Sequence, residues 1–331
     1  MATATAPAPA PPDELAEVRT LLAAWPLGAL QHLERAHGGA TNRVYRVDAE
    51  RQSGYLRIYR RPDRAMVERE HALLQLLHAR ALPVVALIRA SSGATAVEHG
   101  GSFAALYAPA RGAQLSHDEL TTAHAHSAGA TLARLHQALA PLPDVGYVRW
   151  TLSWDGPEWV ERLNVVERAV LARDSHDDTD RWALERLRAQ RAWLANPECV
   201  HTYEPQSSAQ VTHGDYQNAN LFFEGAALSA VIDWEQAAWM PRGYEVARAC
   251  AFCFRLEPER TRSFVQGYRS VLELDLPSLD DGARAWGSFS DHHVWALEEV
   301  YLHGNVAARR YIRHEPFRAF GQAWAEARPE R

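Results

Sequence analysis

The chain has 331 residues, 47% hydrophobic and 23% charged, enough to bury one or two cores, which excludes wholesale disorder and a disulfide-stapled miniprotein. Its 35 basic against 41 acidic residues leave a formal charge of −6, which argues against a broad nucleic-acid-binding face. All 35 basic residues are arginine, so Schiff-base, pyridoxal-phosphate and P-loop lysine chemistry are excluded, and any phosphate must be held by Arg, backbone N–H groups or a metal.

The first twelve residues, MATATAPAPAPP, read as a flexible tail without the basic start or apolar run of a signal peptide. No stretch approaches the roughly 18 apolar residues of a membrane span, so no membrane partner is expected and the expected location is the cytoplasm. Residues 13–35 read as a helix, with Asp13 as cap and Leu15, Val18, Leu21 and Leu22 at helical spacing. Residues 37–43 are rich in turn formers. Val44 to Val47 and Tyr55 to Tyr59 alternate like strands. Residues 65–80 carry a helical stripe of Met66, Leu73, Leu74 and Leu77, and Val84 to Leu87 and Ser102 to Tyr107 are further strand candidates.

After Arg111 and Gly112 helical periodicity takes over, at 118–139, 156–172, 180–195, 244–256, 258–273 and 281–325. One β-like island at 211–233 interrupts it. The expected class is therefore α+β: a β-rich part at 13–110 and a mainly helical part at 111–331. The three cysteines, an odd and low count, fit a reducing compartment. Cys250 and Cys253 read as small core residues of a helix rather than a metal or redox pair, and Cys199 has no partner nearby in the sequence.

The island carries the chemistry. Leu221 to Phe223 and Leu228 to Ile232 read as two strands joined by a turn at Glu224-Gly225-Ala226. Such a hairpin brings Asn220, which enters it, and Asp233, which leaves it, to one mouth. Asp215 precedes Asn220 by five residues in a loop that reaches the same place. Two oxygen ligands, Asn220 and Asp233, suit magnesium, and Asp215 beside them suits a base that deprotonates a hydroxyl for in-line attack on a phosphoryl group.

His213-Gly214-Asp215, Asn220 and Ile232-Asp233-Trp234-Glu235 resemble the signature of aminoglycoside phosphotransferases and their relatives, among them choline kinases, type II homoserine kinases and spore-coat-associated kinase-like proteins. The resemblance covers nearly all of 35–310. It implies a bilobal protein-kinase-like fold, with a small antiparallel N-lobe sheet, a mainly α-helical C-lobe, and a cleft whose linker lies near Leu106 to Arg111. It further implies that Gly39, Thr41 and Asn42 belong to a nucleotide-covering hairpin. Arg57 takes the position of the phosphate-binding strand residue, Glu70 that of its helix partner, and Tyr107 lies next to the nucleotide. His213 and Asp215 form the catalytic loop, with the histidine as its brace. The cofactors implied are ATP, with GTP as the alternative, and Mg2+. The family often has lysine where this chain has Arg57, whose planar fork is larger.

The implied activity is transfer of the γ-phosphoryl group to a hydroxyl of a small molecule. Aminoglycoside, choline-like, homoserine-like and sugar acceptors all fit, and no signal for an oligomeric state is present. Trp234, Trp239 and Trp295 with Glu298, Glu299 and Tyr301 suit a cationic acceptor or, alternatively, a helical core. His136 reads as a packed core histidine and His292-His293 as a solvated pair. Two other classes compete. A nucleotide-binding pseudokinase scaffold does not need the intact set of Asp215, Asn220 and Asp233. A protein kinase needs an activation segment, and only about ten residues separate Asp233 from the helix near Tyr244.

Overall fold

The computed structural model describes residues 11–36, 42–60, 63–312 and 314–329. The expected tail falls mostly on residues 1–10, outside the described residues. In chain order the elements are α1 (Pro12–Leu22), β1 (Leu30–Arg35), β2 (Arg43–Ala49), β3 (Ser53–Ile58), α2 (Arg64–Ala79), β4 (Leu87–Ile88), β5 (Val97–His99), β6 (Ser102–Tyr107) and β7 (Ala113–Gln114). There follow α3 (Thr122–Leu139), α4 (Gly156–Leu171), α5 (Asp178–Leu194), β8 (Ala209–Thr212), β9 (Leu221–Glu224), β10 (Ala227–Val231) and β11 (Ala238–Pro241). The chain closes with α6 (Arg242–Phe254), α7 (Pro258–Arg269), α8 (Leu276–His292), α9 (Trp295–Tyr301) and α10 (Phe320–Ala327). The class is α+β, with an antiparallel sheet in the N-terminal region and helices in the C-terminal region.

Two compact units result: the described residues up to Leu115 with Ala219–Gln236, and Ser116–Asn218 with Ala237–Arg331. The boundary thus lies a few residues beyond 110, and the 219–236 hairpin belongs with the first unit rather than with the helical part. In the first unit the sheet runs β1-β2-β3-β6-β4, with β5 also paired to β6. Tyr45, Val47 and Ala49 alternate inward on β2, and with Leu56, Ile58, Ala104 and Leu106 they meet Val18, Leu21 and Leu22 of α1 in one apolar core. Helix α2 is capped by the Asp63 side chain, which accepts from the Met66 N–H at 3.1 Å, and buries Val67, Glu70, His71, Leu73, Leu74 and Leu77. An acid therefore sits on the buried stripe of that helix. Strands β9 and β10 form a second small sheet with β7, register Leu221↔Val231.

Two helices expected from periodicity divide. The 13–35 stretch is helical only to Leu22. Beyond it Gly28 takes φ 77, and residues 30–35 become an edge strand held by β2 through pairs such as Leu33↔Val47. Pro26, with no backbone N–H to give, prevents the helix from continuing past this point, and pairing with β2 overrides the helical spacing. The 281–325 stretch divides into the end of α8, then α9 and α10. His293 is extended with ψ 127, and Gly304 takes φ 67 between the pieces.

Among the described residues the strands of the second unit are the antiparallel pair β8–β11, Thr212↔Ala238; the expected island at 211–233 reached the end of β8, and β11 was not indicated. Helices α3 and α7 pack backbone to backbone. A Cβ on Gly129 would lie 2.0 Å from the Phe264 carbonyl oxygen, and one on Gly267 would lie 2.1 Å from that of His126. Gly129→Ala is therefore expected to lower unfolding free energy by about 3 kcal/mol, the upper end of overpacking costs. Gly321→Ala on α10, where nothing lies within 4 Å, is expected to change stability in the opposite direction by about 0.5–1 kcal/mol. Urea unfolding of both variants checks the pair of signs. Cys250 and Cys253 lie on α6 as buried core residues. Among the described residues no helix is long and apolar enough to cross a membrane.

Candidate functional site

In the first unit the chemistry gathers on Arg57. Strand β3 directs its guanidinium inward, where only 11% of the side chain is exposed. One nitrogen donates to Glu70 Oε1 at 3.0 Å, and the other donates to Asp233 Oδ1 at 3.2 Å and to Glu235 Oε2. Burial alone would pull Arg57 down, but Glu70 and Asp233 outweigh it and hold the guanidinium well above its ordinary value. Burial pushes the Glu70 carboxyl up, opposed by Arg57 and by the Tyr59 hydroxyl, which donates to Glu70 Oε2 at 3.0 Å. Asn42 donates from Nδ2 to Glu235 Oε2 at 2.8 Å and accepts the Arg60 N–H at 3.2 Å, so it ties β2 to the same cluster.

The hairpin explains how Asp233 arrives there. Val231 pairs with Leu221, and the Ile232 N–H donates to the Asn220 carbonyl at 3.0 Å, which closes the open end. Asp233 then takes φ 67, a left-handed conformation that aspartate and asparagine tolerate better than most residues. The chain turns into a short 3-10 segment, Trp234–Gln236, in which Trp234 is buried. Asn220 is buried at the hairpin's entrance.

His71 backs this network. Its Nε2 meets the Tyr59 and Tyr107 hydroxyls, each at 3.2 Å, and its Nδ1 meets Thr95 Oγ1 at 2.9 Å. Burial, and then the nearby Arg57 cation, lower it to about 4. Burial likewise lowers His292 to about 4. Between the unfolded value near 6.5 and the folded one, the unfolded chain binds more protons, so stability is full above that range and is lost as pH falls through it. His71→Gln is expected to reduce proton uptake on unfolding by about one, read from the slope of unfolding free energy against pH.

In the second unit Glu245 organises the 213–215 loop. Buried in the first turn of α6, its carboxylate accepts the His213 N–H at 3.1 Å and the Gly214 N–H at 2.5 Å, and meets His136 Nε2 at 2.8 Å. Burial would raise it, but His136 and the His213 backbone hold it below the usual carboxylate range. Gly214 takes φ 80, and the Asp215 N–H donates back to His213 Nδ1 at 3.1 Å. The Asp215 carboxylate accepts from Arg248 Nη2 at 2.5 Å and from Gln217 Nε2 at 2.8 Å. Arg248 lies over the rings of Phe252 and Trp286, at 4.5 and 5.5 Å.

The first unit thus holds a buried cation ringed by acids, with an Asn and an Asp at one hairpin mouth, and the second holds an Asp on a braced loop; each is a residue type that phosphoryl transfer employs. The sequence profile of the phosphotransferase enzyme family matches residues 32–282. The chain belongs to this family. No curated protein is matched by its sequence. Solved structures similar to this phosphotransferase include spectinomycin phosphotransferase in complex with ADP and spectinomycin, at 14% identity and TM-score 0.67, covering 94% of this chain and 97% of that one. Amicoumacin kinase in complex with AMP-PNP, Ca2+ and Ami is 15% identical, TM-score 0.56, over 94% and 97% of the two chains. A microcompartment-associated aminopropanol kinase is 18% identical, TM-score 0.54, over 95% and 94%. These likenesses give the phosphotransferase the protein-kinase-like fold that the motifs implied.

Of the residues singled out from the sequence, Asn42, Arg57, Glu70 and Asp233 share one cluster. Tyr107 joins it from behind, its hydroxyl 2.6 Å from that of Tyr59. Asn220 lies at the same hairpin mouth, and His213 and Asp215 share the braced loop of the other unit. Gly39 and Thr41 lie outside the described residues. Glu235, Tyr59, Glu245, Gln217 and Arg248 were given no role. Glu235 stood in the quoted Ile232-Asp233-Trp234-Glu235 motif, and an acid inside an otherwise buried pattern was the signal. Of the acceptor candidates, Glu298 is held by Arg162 at 2.8 Å, and the Tyr301 hydroxyl donates to Asp180 at 2.8 Å. Trp295 is 38% exposed. His136 is a packed core histidine, as expected. His292, expected in a solvated pair, is instead fully buried on α8, between Trp154 and His201.

Proposed function

We propose that this phosphotransferase moves the γ-phosphoryl group of ATP to a hydroxyl of a small molecule in the cytoplasm, with Mg2+ as cofactor, Asp215 as base and GTP as the alternative donor. The reading rests above all on Arg57, a buried guanidinium oriented by Glu70 at the mouth of the hairpin that carries Asn220 and Asp233. In a lysine-free chain such a fork is the cation available to the α- and β-phosphates. The amide oxygen of Asn220 and the carboxylate of Asp233 are hard oxygen donors, so these residues fit magnesium and would hold it. Bound there, the ion supplies charge neutralisation at the phosphate oxygens.

Asp215 accepts the proton of the acceptor hydroxyl as that oxygen bonds to the γ-phosphorus. The bond from the γ-phosphorus to the β-phosphate oxygen breaks, and ADP leaves with the electron pair. Arg248 and Gln217 fix the Asp215 rotamer, and His213 braces the loop through its backbone and Nδ1. Gly39, Thr41 and Asn42 cover the nucleotide, and Tyr107 holds Tyr59 and His71 against Glu70. The acceptors named for the similar structures, spectinomycin, amicoumacin and aminopropanol, support a small molecule. No disulfide joins the three cysteines, which suits a reducing compartment.

A panel of small hydroxyl compounds with magnesium and ATP tests the reading: an acceptor that stimulates ADP release supports it, and the absence of both nucleotide binding and ADP release across the panel refutes it. Arg57→Ala is expected to raise the KM for ATP and lower kcat. Because it strips the cation from Glu70, Asp233 and Glu235, it should also cost about 3–5 kcal/mol of stability. Arg57→Lys retains the charge but loses the fork, and it should recover most of that stability while ATP affinity stays reduced. Thermal melts beside steady-state kinetics separate the two effects.

A further inference from the structure

The strongest unassigned constellation lies in the second unit, where the segment after α5 meets the end of α8. Cys199 is buried there, His292 is fully buried and His201 is half-buried. One ligand atom from each lies within 4.8 Å of the others. The expectation that Cys199 stands alone is therefore corrected: its partners are His201, two residues on, and His292, distant in sequence.

We propose that Cys199, His201 and His292 form a transition-metal site, best suited to Zn2+, that ties the 199–201 segment to the C-terminal end of α8. A thiolate and two imidazoles are the borderline-soft donors zinc takes, and three protein ligands leave a fourth position for water. His292 Nδ1 donates to the Ser288 carbonyl at 2.7 Å, which fixes the tautomer and leaves the Nε2 lone pair toward His201. That Nε2 lies 3.0 Å from His201 Nδ1, and a tetrahedral ion with Zn–N distances of about 2.0–2.1 Å asks for about 3.3 Å, a small adjustment.

The surroundings hold both rings in place. Trp154 stacks on His292 at 5.2 Å and 17°, and Trp159 meets it edge-on at 6.1 Å. The chain makes room for the other imidazole with Gly156, where a Cβ would approach His201 Cε1 to 3.2 Å. The Trp154 backbone N–H donates to the His201 carbonyl at 2.8 Å, which anchors the segment. On binding, the Cys199 thiol releases its proton to solvent and the His201 proton moves from Nδ1 to Nε2, so one proton leaves per ion. Burial and then Asp291 raise the thiol to about 11, and the metal's affinity for sulfur drives that release.

The test is cobalt titration of the untagged full-length protein, followed by absorption spectroscopy. The expected result is one Co2+ per chain with a thiolate-to-cobalt charge-transfer band and strong visible d–d bands. Cys199→Ser should abolish the charge-transfer band. His201→Gln should weaken affinity by at least about 100-fold, the upper end of what losing an outer-shell partner costs. A band that persists in Cys199→Ser, or a wild type that binds no cobalt with sulfur, overturns the proposal. Because variants at buried positions can misfold, X-ray absorption of the zinc-loaded wild type gives a second arm. One sulfur at about 2.3 Å with two nitrogens supports the site, and a shell without sulfur overturns it.

Discussion

Asp215→Asn is expected to lower phosphoryl transfer by about 10²–10⁴-fold while nucleotide binding survives, the scale of losing a positioned general base. The substitution keeps the side chain's shape, and the amide oxygen still accepts from Arg248 or Gln217, so the loop held by Glu245 keeps its conformation. What is lost is the proton acceptor. A loose phosphoryl-transfer transition state leaves much of catalysis to positioning and charge, which favours the lower end of the range. Nucleotide affinity by calorimetry and turnover on a phosphorylated acceptor, both at saturating magnesium, provide the measurement. Wild-type turnover in the variant would remove Asp215 from the mechanism.

The second large effect is expected at Asp233, and the backbone dictates the substitution. At φ 67 an alanine would add strain, whereas asparagine tolerates the left-handed region, so Asp233→Asn isolates the charge. Turnover should fall by about 10²–10³-fold, within the several kcal/mol that a bound metal supplies to the transition state. Unlike Asp215→Asn, this variant should also bind magnesium–nucleotide more weakly. Raising magnesium should recover part of the loss, because Asn220 remains. Arg57 keeps Glu70 and Glu235 as partners, so the fold should be retained. Equal nucleotide affinity in wild type and variant across a magnesium titration would contradict the assignment.

Much of this architecture was legible where local pattern and tertiary structure agree. Strand β6 falls on the expected 102–107, α2 within a residue of its expected ends, and the 221–231 hairpin in its expected place, because alternation, stripe and turn residues all favour the same answer there. Strand β1 was not legible. Its residues are largely exposed, so no buried alternation marks them, and only pairing to β2 makes them a strand. The site divides the same way. Asp215, Asn220 and Asp233 lie within nineteen residues of sequence and could be read together. Arg248 and Glu235 acquire their meaning from the partners that folding supplies, Asp215 and Arg57. The Cys199, His201 and His292 group spans more than ninety residues and follows no ligand spacing that a sequence motif would reveal.

The guanidinium of Arg57 has a practical consequence for detecting this enzyme in a cell. Nucleotide probes that mark kinases by acylating a side-chain amine beside the phosphates need a nucleophilic amine, and a permanently protonated guanidinium offers none. No other residue of the chain supplies a side-chain amine in its place. Profiling by covalent acylation would therefore pass over a phosphotransferase that binds the nucleotide well, whereas reversible capture on an immobilised nucleotide would retain it.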